Sequence, residues 1–149
     1  MDLIIQELTR PVLTGNIDQF IDILKDVPGE YWKAGHFLID LPGKFQVSCC
    51  AFTEDKLAGY IISTTTNSSS AHIHKFVIAS ELRGRKIGQR LLCFFEDIVR
   101  KNNISMITLK VHEDNVDAIR FYKRYGFEFE SKCIDTKNSN VLLKMKKRI

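Results

Sequence analysis

The sequence feature that most constrains the fold is a direct succession of an apolar strand, a basic glycine turn and an amphipathic helix, ending at Arg100. The turn reads Arg83-Gly84-Arg85-Lys86-Ile87-Gly88, and the helix carries apolar residues at helical spacing: Ile87, Leu91, Phe95 and Ile98. Backbone N–H groups at a helix start lack partners, and the helix dipole favours negative charge there. The succession predicts a phosphate-binding helix start, although an ordinary solvated basic turn explains it equally well.

The composition of the turn narrows the choice of ligand. Gly84 and Gly88 allow the backbone to bend and a ligand to approach closely, while three cationic side chains add positive charge. The turn lacks the three glycines of the dinucleotide fingerprint and the G-x-x-x-x-G-K-[ST] spacing of ATP-type loops. Neither of those nucleotide sites is therefore expected.

Length and apolar content predict a single domain over residues 1–149. The chain has 149 residues, of which 44% are apolar, with ten Phe, four Tyr and one Trp, and this is enough for one core. No apolar run approaches the roughly 20 residues of a membrane span, and no signal sequence opens the chain. We expect a cytoplasmic protein without a membrane partner.

The four cysteines predict neither a metal site nor disulfides. Cys49 and Cys50 are adjacent, and no C-x-x-C pair supplies zinc-ligand spacing. All four are expected to be reduced thiols, and Cys93 is expected to pack as a small hydrophobe within the long helix.

The charge distribution separates two halves of the chain. The net charge is +4, yet residues 1–43 hold seven acidic and three basic residues. An anionic ligand is expected on the second half and a cationic or amine substrate on the first. No aromatic RNA-binding motif accompanies the basic excess, so nucleic acid is not the expected partner.

The order of predicted elements gives an α/β (mixed α+β) fold. Strands are predicted at residues 3–8, 46–52, 57–66, 72–78, 105–111, 127–133 and 141–147. Thr14-Gly15-Asn16 offers a cap for a helix that Pro28-Gly29 stops, whereas the segment 31–40 fits a short helix or an ordered loop. The long helix after the turn and a short helix capped by Asn115 complete the chain. The result is a mixed, mostly antiparallel sheet of six to seven strands with about four helices on both faces.

A second motif makes a family resemblance specific. The segment from Asn115 to Phe127 matches N-x-x-A-x-x-[FL]-Y-x-x-x-G-F, and the turn from Arg83 to Gly88 is similar to [RQ]-x-x-G-x-[GA]. Together, one helix and one strand apart, they resemble the GCN5-related N-acetyltransferases (GNAT), with Lys86 in place of the usual middle glycine. The resemblance covers about residues 57–131 and implies the GNAT fold, in which a parallel pair of strands splays at the cofactor site.

The resemblance also implies a co-substrate, acetyl-CoA, and the residues that would hold it. Main-chain groups of Phe76, Val77 and Ile78 would pair with the acetyl-CoA arm. The diphosphate would rest on the turn and the helix start: Arg83, Gly84, Arg85, Lys86, Ile87, Gly88 and Gln89. Asn115 would contact the pantetheine arm, and it fits a plain helix cap equally well.

A proton donor and a base are the remaining chemical groups. Tyr122 matches the family tyrosine that protonates the departing CoA thiolate, and a phenol keeps its proton at neutral pH; Tyr125 is a second donor candidate. His74 is the candidate base, because a histidine has a suitable pKa. Strand alternation would place His72, His74 and Phe76 on one face. Further candidates for the catalytic base are Lys110, His112 and Glu113.

The resemblance implies an N-acetyltransferase acting on a primary amine of a small molecule by direct attack in a ternary complex. Protein or peptide N-termini, lysines, and a non-catalytic acyl-CoA-binding role are alternatives. Tyr31, Trp32, His36 and Phe37 are candidates to line the acceptor site, although ordinary packing also explains them. Family members occur as monomers or homodimers, and the sequence does not choose between these states.

Overall fold

The computed structural model describes residues 2–27, 30–67 and 69–149, and its centre is a seven-stranded sheet. The strands are β1 (Leu3–Glu7), β2 (Cys49–Thr53), β3 (Lys56–Thr66), β4 (Ser70–Ile78), β5 (Met106–His112), β6 (Glu128–Ile134) and β7 (Val141–Arg148). Their order across the sheet is β1-β2-β3-β4-β5-β7-β6. Every neighbouring pair is antiparallel except β4 and β5, which are parallel. The predicted mixed, mostly antiparallel sheet is thus confirmed.

The helices cover both faces of the sheet. They are α1 (Arg10–Gly15), α2 (Ile17–Leu24), α3 (Ala34–Leu38), α4 (Ile87–Lys101) and α5 (Val116–Arg124), with a single 3-10 turn at Ser80–Leu82. Helices α4 and α5 pack on one face around Leu91 and Phe95. Helices α1, α2 and α3 pack on the other around Phe20, whose ring centroid lies 4.8 Å from that of Tyr60. Within the described residues, no helix is both long and apolar enough to span a bilayer.

The first helices differ from the prediction. Helix α1 was not predicted; Thr9 begins it by accepting from Val12 N at 3.3 Å. Asn16 stands at the start of α2, but its side chain donates back to Val12 O at 2.8 Å and does not cap that helix. The segment left open between helix and loop contains α3. The predicted stop at Pro28-Gly29 lies outside the described residues.

The prediction for Cys93 was wrong, because its side chain is exposed. The buried stripe of α4 runs through Leu91, Leu92 and Phe95. At about 100° per residue, position 93 falls on the opposite, solvent face. Cys49 and Cys50, in contrast, are buried, and burial raises the pKa of the Cys50 thiol to about 12.

One irregularity in β4 positions the rest of the site. Lys75 is the partner of Ile62 on β3, but the next residue of β3, Ser63, is the partner of Ile73. His74 is therefore an extra residue, a β-bulge, and such bulges bend a strand and reset its alternation. Accordingly Ile73 and Phe76 pack on the same core, so the predicted common face for His72, His74 and Phe76 was wrong.

The two parallel strands separate directly after the bulge begins. Their pairing runs from Ser70 with Met106 to Ile73 with Leu109. Both strands then continue, β4 to Ile78 and β5 to His112, without further pairs to each other. The sheet is thus split between β4 and β5 over the second half of both strands.

Candidate functional site

A cavity of about 470 Å³ fills the split between β4 and β5. Its walls come from both strands, from the start of α5 and from the segment between α2 and α3. They include five of the residues singled out from the sequence as cofactor or catalytic groups: His74, Phe76, Val77, Asn115 and Tyr122. Lys110 and His112 of β5 also line it. The other predicted cofactor residues, Ile78 and the range 83–89, are not among those that line it, so only the motif from Asn115 to Phe127 contributes to its wall.

The end of β4 presents main-chain groups to this wedge. Ala79 N donates to Ala58 O at 2.8 Å, which fixes the groups of residue 79 toward β3. Because backbone groups alternate in direction along a strand, those of Ile78 point away from β3, toward the side that β5 has left. Arg83 Nε donates to Ile78 O at 3.2 Å, so the arginine of the turn closes on the same edge.

The start of α4 provides free backbone donors near the end of β4, where a Cβ on Gly88 would meet Ile78 at 3.7 Å. Among the described residues, no side chain caps this helix, and the N–H groups of Ile87, Gly88 and Gln89 have no protein acceptor. Its first turn contains no acidic residue. Unpaired donors, the helix dipole and the neighbouring cations together favour an anion at this point.

The turn before α4 uses two left-handed residues. Gly84 has φ +79° with open space where a Cβ would stand, and Lys86, directly before the helix, has φ +62°. A left-handed conformation is unfavourable for a residue with a Cβ. In the motif that this turn resembles, position 86 is usually glycine, which adopts a left-handed conformation without steric cost. Here that conformation is adopted by Lys86. At Gly88 a Cβ would meet only the Phe121 ring at 3.6 Å and Ile78 at 3.7 Å, which are ordinary contacts.

Tyr122 lies on the wall of the wedge within an aromatic cluster. Its ring centroid lies 5.4 Å from that of Phe127 and 6.2 Å from that of Phe76. Burial, and secondly the charge of Glu30, raise the pKa of Tyr122 above its ordinary value of 10. The hydroxyl has no protein hydrogen-bond partner among the described residues. It is thus a protonated phenol on the wall of the cavity.

Asn115 caps α5 and also lies on the wall of the wedge. Its Oδ1 accepts from Ala118 N at 3.2 Å and so caps α5, which carries Tyr122. The residue also lines the wedge. The cap therefore holds the asparagine at the cavity wall and leaves its side-chain amide N–H groups for a ligand.

The two histidines of β4 form a linked pair beside the wedge. His74 Nε2 lies 2.8 Å from Thr64 Oγ1, His72 Nδ1 lies 2.8 Å from Thr108 Oγ1, and the ring centroids are 4.9 Å apart. Burial, followed by the charges of Lys75 and Lys44, lowers the pKa of His74. Burial, followed by His74 and two lysines, lowers the pKa of His72 to about 4. Both rings are consequently neutral at pH 7.

Sequence reasoning did not single out Glu30, although its carboxylate enters the wedge. Glu30 Oε2 accepts from Lys75 Nζ on β4, and the same ammonium lies 5.2 Å from the centroid of the Trp32 ring. In the sequence Glu30 is one of seven scattered acidic residues in the first 43 positions. No motif could have found it, because its partner is 45 residues away.

A second cavity of about 270 Å³ adjoins the segment between α2 and α3. Tyr31 and Trp32, two predicted acceptor-site residues, line it together with Glu30. Phe37 does not line it; this residue is fully buried, with its ring centroid 5.0 Å from that of Trp32. Phe37 therefore supports the wall from behind, and His36 begins α3 by accepting from Lys33 N at 2.9 Å.

Two further candidates lie outside both cavities. Glu113 is exposed and forms an ion pair with Lys132 at 3.7 Å. Tyr125 packs its ring on Phe121, 4.8 Å between centroids, at the end of α5. Neither residue is among those that line the wedge.

Comparison with known proteins agrees with this geometry. The sequence model of the Acetyltransferase (GNAT) family matches residues 17–127, which include α2, the wedge and both motifs. This chain belongs to the GNAT acetyltransferase family. The family model thus matches the same family that the two sequence motifs resemble, and the predicted fold class is confirmed.

Individual relatives in the GNAT family share limited sequence identity with this chain. A spermidine N(1)-acetyltransferase from Thermoplasma acidophilum is 30% identical over 96 residues, which are 64% of this chain and 56% of that enzyme. This chain therefore spans little more than half the length of that relative. The crystal structure of Ard1 from Thermoplasma volcanium superposes with a TM-score of 0.87 at 23% identity and covers 100% of this chain and 99% of that one. An aminoglycoside 6'-N-acetyltransferase complexed with coenzyme A gives 0.76 at 21% identity, with 97% and 96% covered.

Proposed function

We propose that this GNAT protein transfers the acetyl group of acetyl-CoA to a primary amine of a small molecule, by direct attack within a ternary complex. The observation that carries the proposal is the wedge between β4 and β5. The unpaired N–H groups of Ile87, Gly88 and Gln89 lie outside it, near the end of β4, where a Cβ on Gly88 would meet Ile78 at 3.7 Å. An elongated thioester with a diphosphate at its far end would fill the wedge and reach this anion site. The bound coenzyme A of one structural neighbour supports the same co-substrate.

The main chain would position the thioester. Main-chain groups of Phe76 and the N–H of Ile78 would pair with the pantetheine arm as a neighbouring strand would, since β5 is no longer paired with that edge. An N–H near Ile78 would polarise the thioester carbonyl as the oxygen gains negative charge. The turn from Arg83 to Gln89 would hold the diphosphate, and Asn115 would contact the arm from the opposite wall.

The reaction requires two proton movements. The neutral amine attacks the thioester carbonyl carbon, the new C–N bond forms, and the C–S bond breaks to release CoA thiolate. Tyr122, a protonated phenol on the cavity wall, would donate its proton to the sulfur. His74, neutral at pH 7 and on the same cavity, would accept the proton that the amine loses, directly or through water.

The first test is thiol release from acetyl-CoA in the presence of a panel of small amines, amino sugars, polyamines and short peptides. The proposal predicts stoichiometric release of CoA and formation of an N-acetyl product with at least one small amine. Products only with peptides would assign the chain to protein or peptide acetylation. Tight acetyl-CoA binding without turnover of any amine would indicate a non-catalytic acyl-CoA-binding protein, and the proposal would then be wrong.

A further inference from the structure

The two cavities share one charged wall, the side chain of Glu30. Glu30 lines the wedge, where it faces the Tyr122 region, and it also lines the second cavity. Its carboxylate is the only acidic group of the described residues that lines both. A ligand that occupies both cavities would therefore lie against this residue.

Glu30 and Trp32 already bind one ammonium group, that of Lys75. Lys75 Nζ donates to Glu30 Oε2 and lies over the face of Trp32, and the Lys75 side chain is only 11% exposed. A carboxylate and an aromatic face are the two groups that stabilise an alkylammonium best. Among the described residues, the second oxygen of Glu30, Oε1, has no protein partner. One carboxylate oxygen is thus available to a second ammonium at the boundary of the two cavities.

The second cavity differs in character from the wedge. Its walls include the apolar side chains of Ile21, Leu24 and Trp32. The charged groups on its rim besides Glu30 are two ammonium groups, Lys25 and Lys33. An apolar group entering this cavity loses water contact, which is favourable, whereas a second cation would face two like charges without a free carboxylate.

We propose that the acceptor is a primary amine that carries an apolar group near its nitrogen and has no second cation. Its ammonium binds Oε1 of Glu30 on entry, its nitrogen then points into the wedge toward the thioester, and its apolar group occupies the second cavity. This inference rests on the proposed acetyl transfer and adds the acceptor class. It also separates this chain from the polyamine acceptor that its curated relative is named for.

A matched set of acceptors tests the class directly. We expect kcat/KM for leucinamide to exceed that for glycinamide about 10- to 100-fold, as burial of one isobutyl group predicts. Spermidine should be a poorer acceptor than leucinamide. Spermidine used as well as or better than leucinamide, or equal rates for leucinamide and glycinamide, would overturn the inference.

Two variants test the cavity and the carboxylate separately. Ala34→Phe places a ring in the second cavity, so it should lower kcat/KM for leucinamide to near that for glycinamide while leaving glycinamide unaffected. Glu30→Gln should raise KM for leucinamide about tenfold or more, since a charge-assisted hydrogen bond is lost. Asp18→Asn is the matched control, because this exposed carboxylate on α2 lines neither cavity.

Acetyl-CoA affinity, measured by calorimetry for each variant, distinguishes failure of the acceptor class from failure of the proposed acetyl transfer. Unchanged affinity with the expected loss for leucinamide supports the inference. Unchanged affinity with equal loss for both amides, or with no loss, overturns the acceptor class and leaves the acetyltransferase proposal intact. A parent chain that does not bind acetyl-CoA refutes the proposed function itself.

Discussion

Ile73 of β4 and Leu109 of β5 form the last pair of the parallel ladder, and the wedge opens at the next residue of each strand. The next residue on β4 is His74, the bulged residue, so the bend and the opening coincide. The bulge coincides with the separation of the two parallel strands, and it brings a neutral imidazole to the wall of the cavity between them.

The first prediction concerns the anion site at the start of α4. Gly88→Glu should weaken acetyl-CoA binding about tenfold or more relative to Gly88→Gln, because it adds an anion beside the helix start. A Cβ at this position meets only ordinary contacts, so both variants should fold. Calorimetric titration with acetyl-CoA measures the difference. Equal affinities for the two variants would show that the diphosphate does not lie at this helix start.

The second prediction concerns the proton donor. Tyr122→Phe should lower kcat about 100- to 10,000-fold with little change in acetyl-CoA affinity, since it removes one hydroxyl and retains the ring packing. Tyr125→Phe is the control and should retain its activity. Parallel losses of turnover and affinity in Tyr122→Phe would identify a packing residue instead of an acid.

The raised pKa of Tyr122 adds a pH test of the same role. The folded protein holds this phenol in its protonated form above the ordinary pKa of 10. The donor therefore stays protonated up to and beyond pH 10, and kcat in the parent should not fall between pH 8 and pH 10. A fall over that range that disappears in Tyr122→Phe would contradict the assignment.

The third prediction links His72 to acid stability. Its pKa is lowered from 6.5 to about 4, mainly by burial, so the unfolded chain binds a proton more readily than the folded one. Stability contributed by the neutral ring is complete above pH 6.5 and is lost as pH falls toward 4. His72→Gln should flatten the decrease of Tm over this range, because it removes the group whose pKa differs between the folded and unfolded states. Identical Tm profiles for parent and His72→Gln would refute this account.

The fourth prediction concerns the left-handed residue at the start of α4. Lys86→Gly and Lys86→Val both remove the ammonium group, so their difference isolates the backbone. Valine resists φ near +60°, and Lys86→Val should be less stable than Lys86→Gly by about 1–2 kcal/mol. Thermal unfolding measures this difference, and equal Tm values would show that the turn adopts another conformation in solution.

Strand periodicity and two motifs were sufficient to predict most of the fold. Alternation and β-branched content located the seven strands to within a few residues, because half-buried strands repeat every second residue. Helix α1 was missed because its six residues carry too short a pattern. The extra residue at His74 was missed because a bulge leaves no fixed signature in one strand and depends on its pairing with β3.

The site was predictable where it lies in a motif and unpredictable where it depends on tertiary contact. The turn before α4 was found from the order of strand, glycine turn and helix, whereas Asn115 and Tyr122 were found from the family resemblance. Their assigned roles stay predictions. Glu30 acquires its significance only when the α2–α3 segment is placed against Lys75. From the sequence alone, the aromatic residues around Phe37 fit a buried core and a cavity wall equally well. The structure is needed to place Phe37 behind Trp32. The extent of the single domain likewise stays a prediction.

The most direct test of the account is a crystal structure of the protein grown with acetyl-CoA. We predict the pantetheine arm between β4 and β5 beyond Ile73 and Leu109, with the diphosphate within hydrogen-bond distance of the N–H groups of Gly88 and Gln89. The thioester sulfur should approach the hydroxyl of Tyr122. A bound acetyl-CoA elsewhere on the protein, with the wedge left empty, would contradict the central claim.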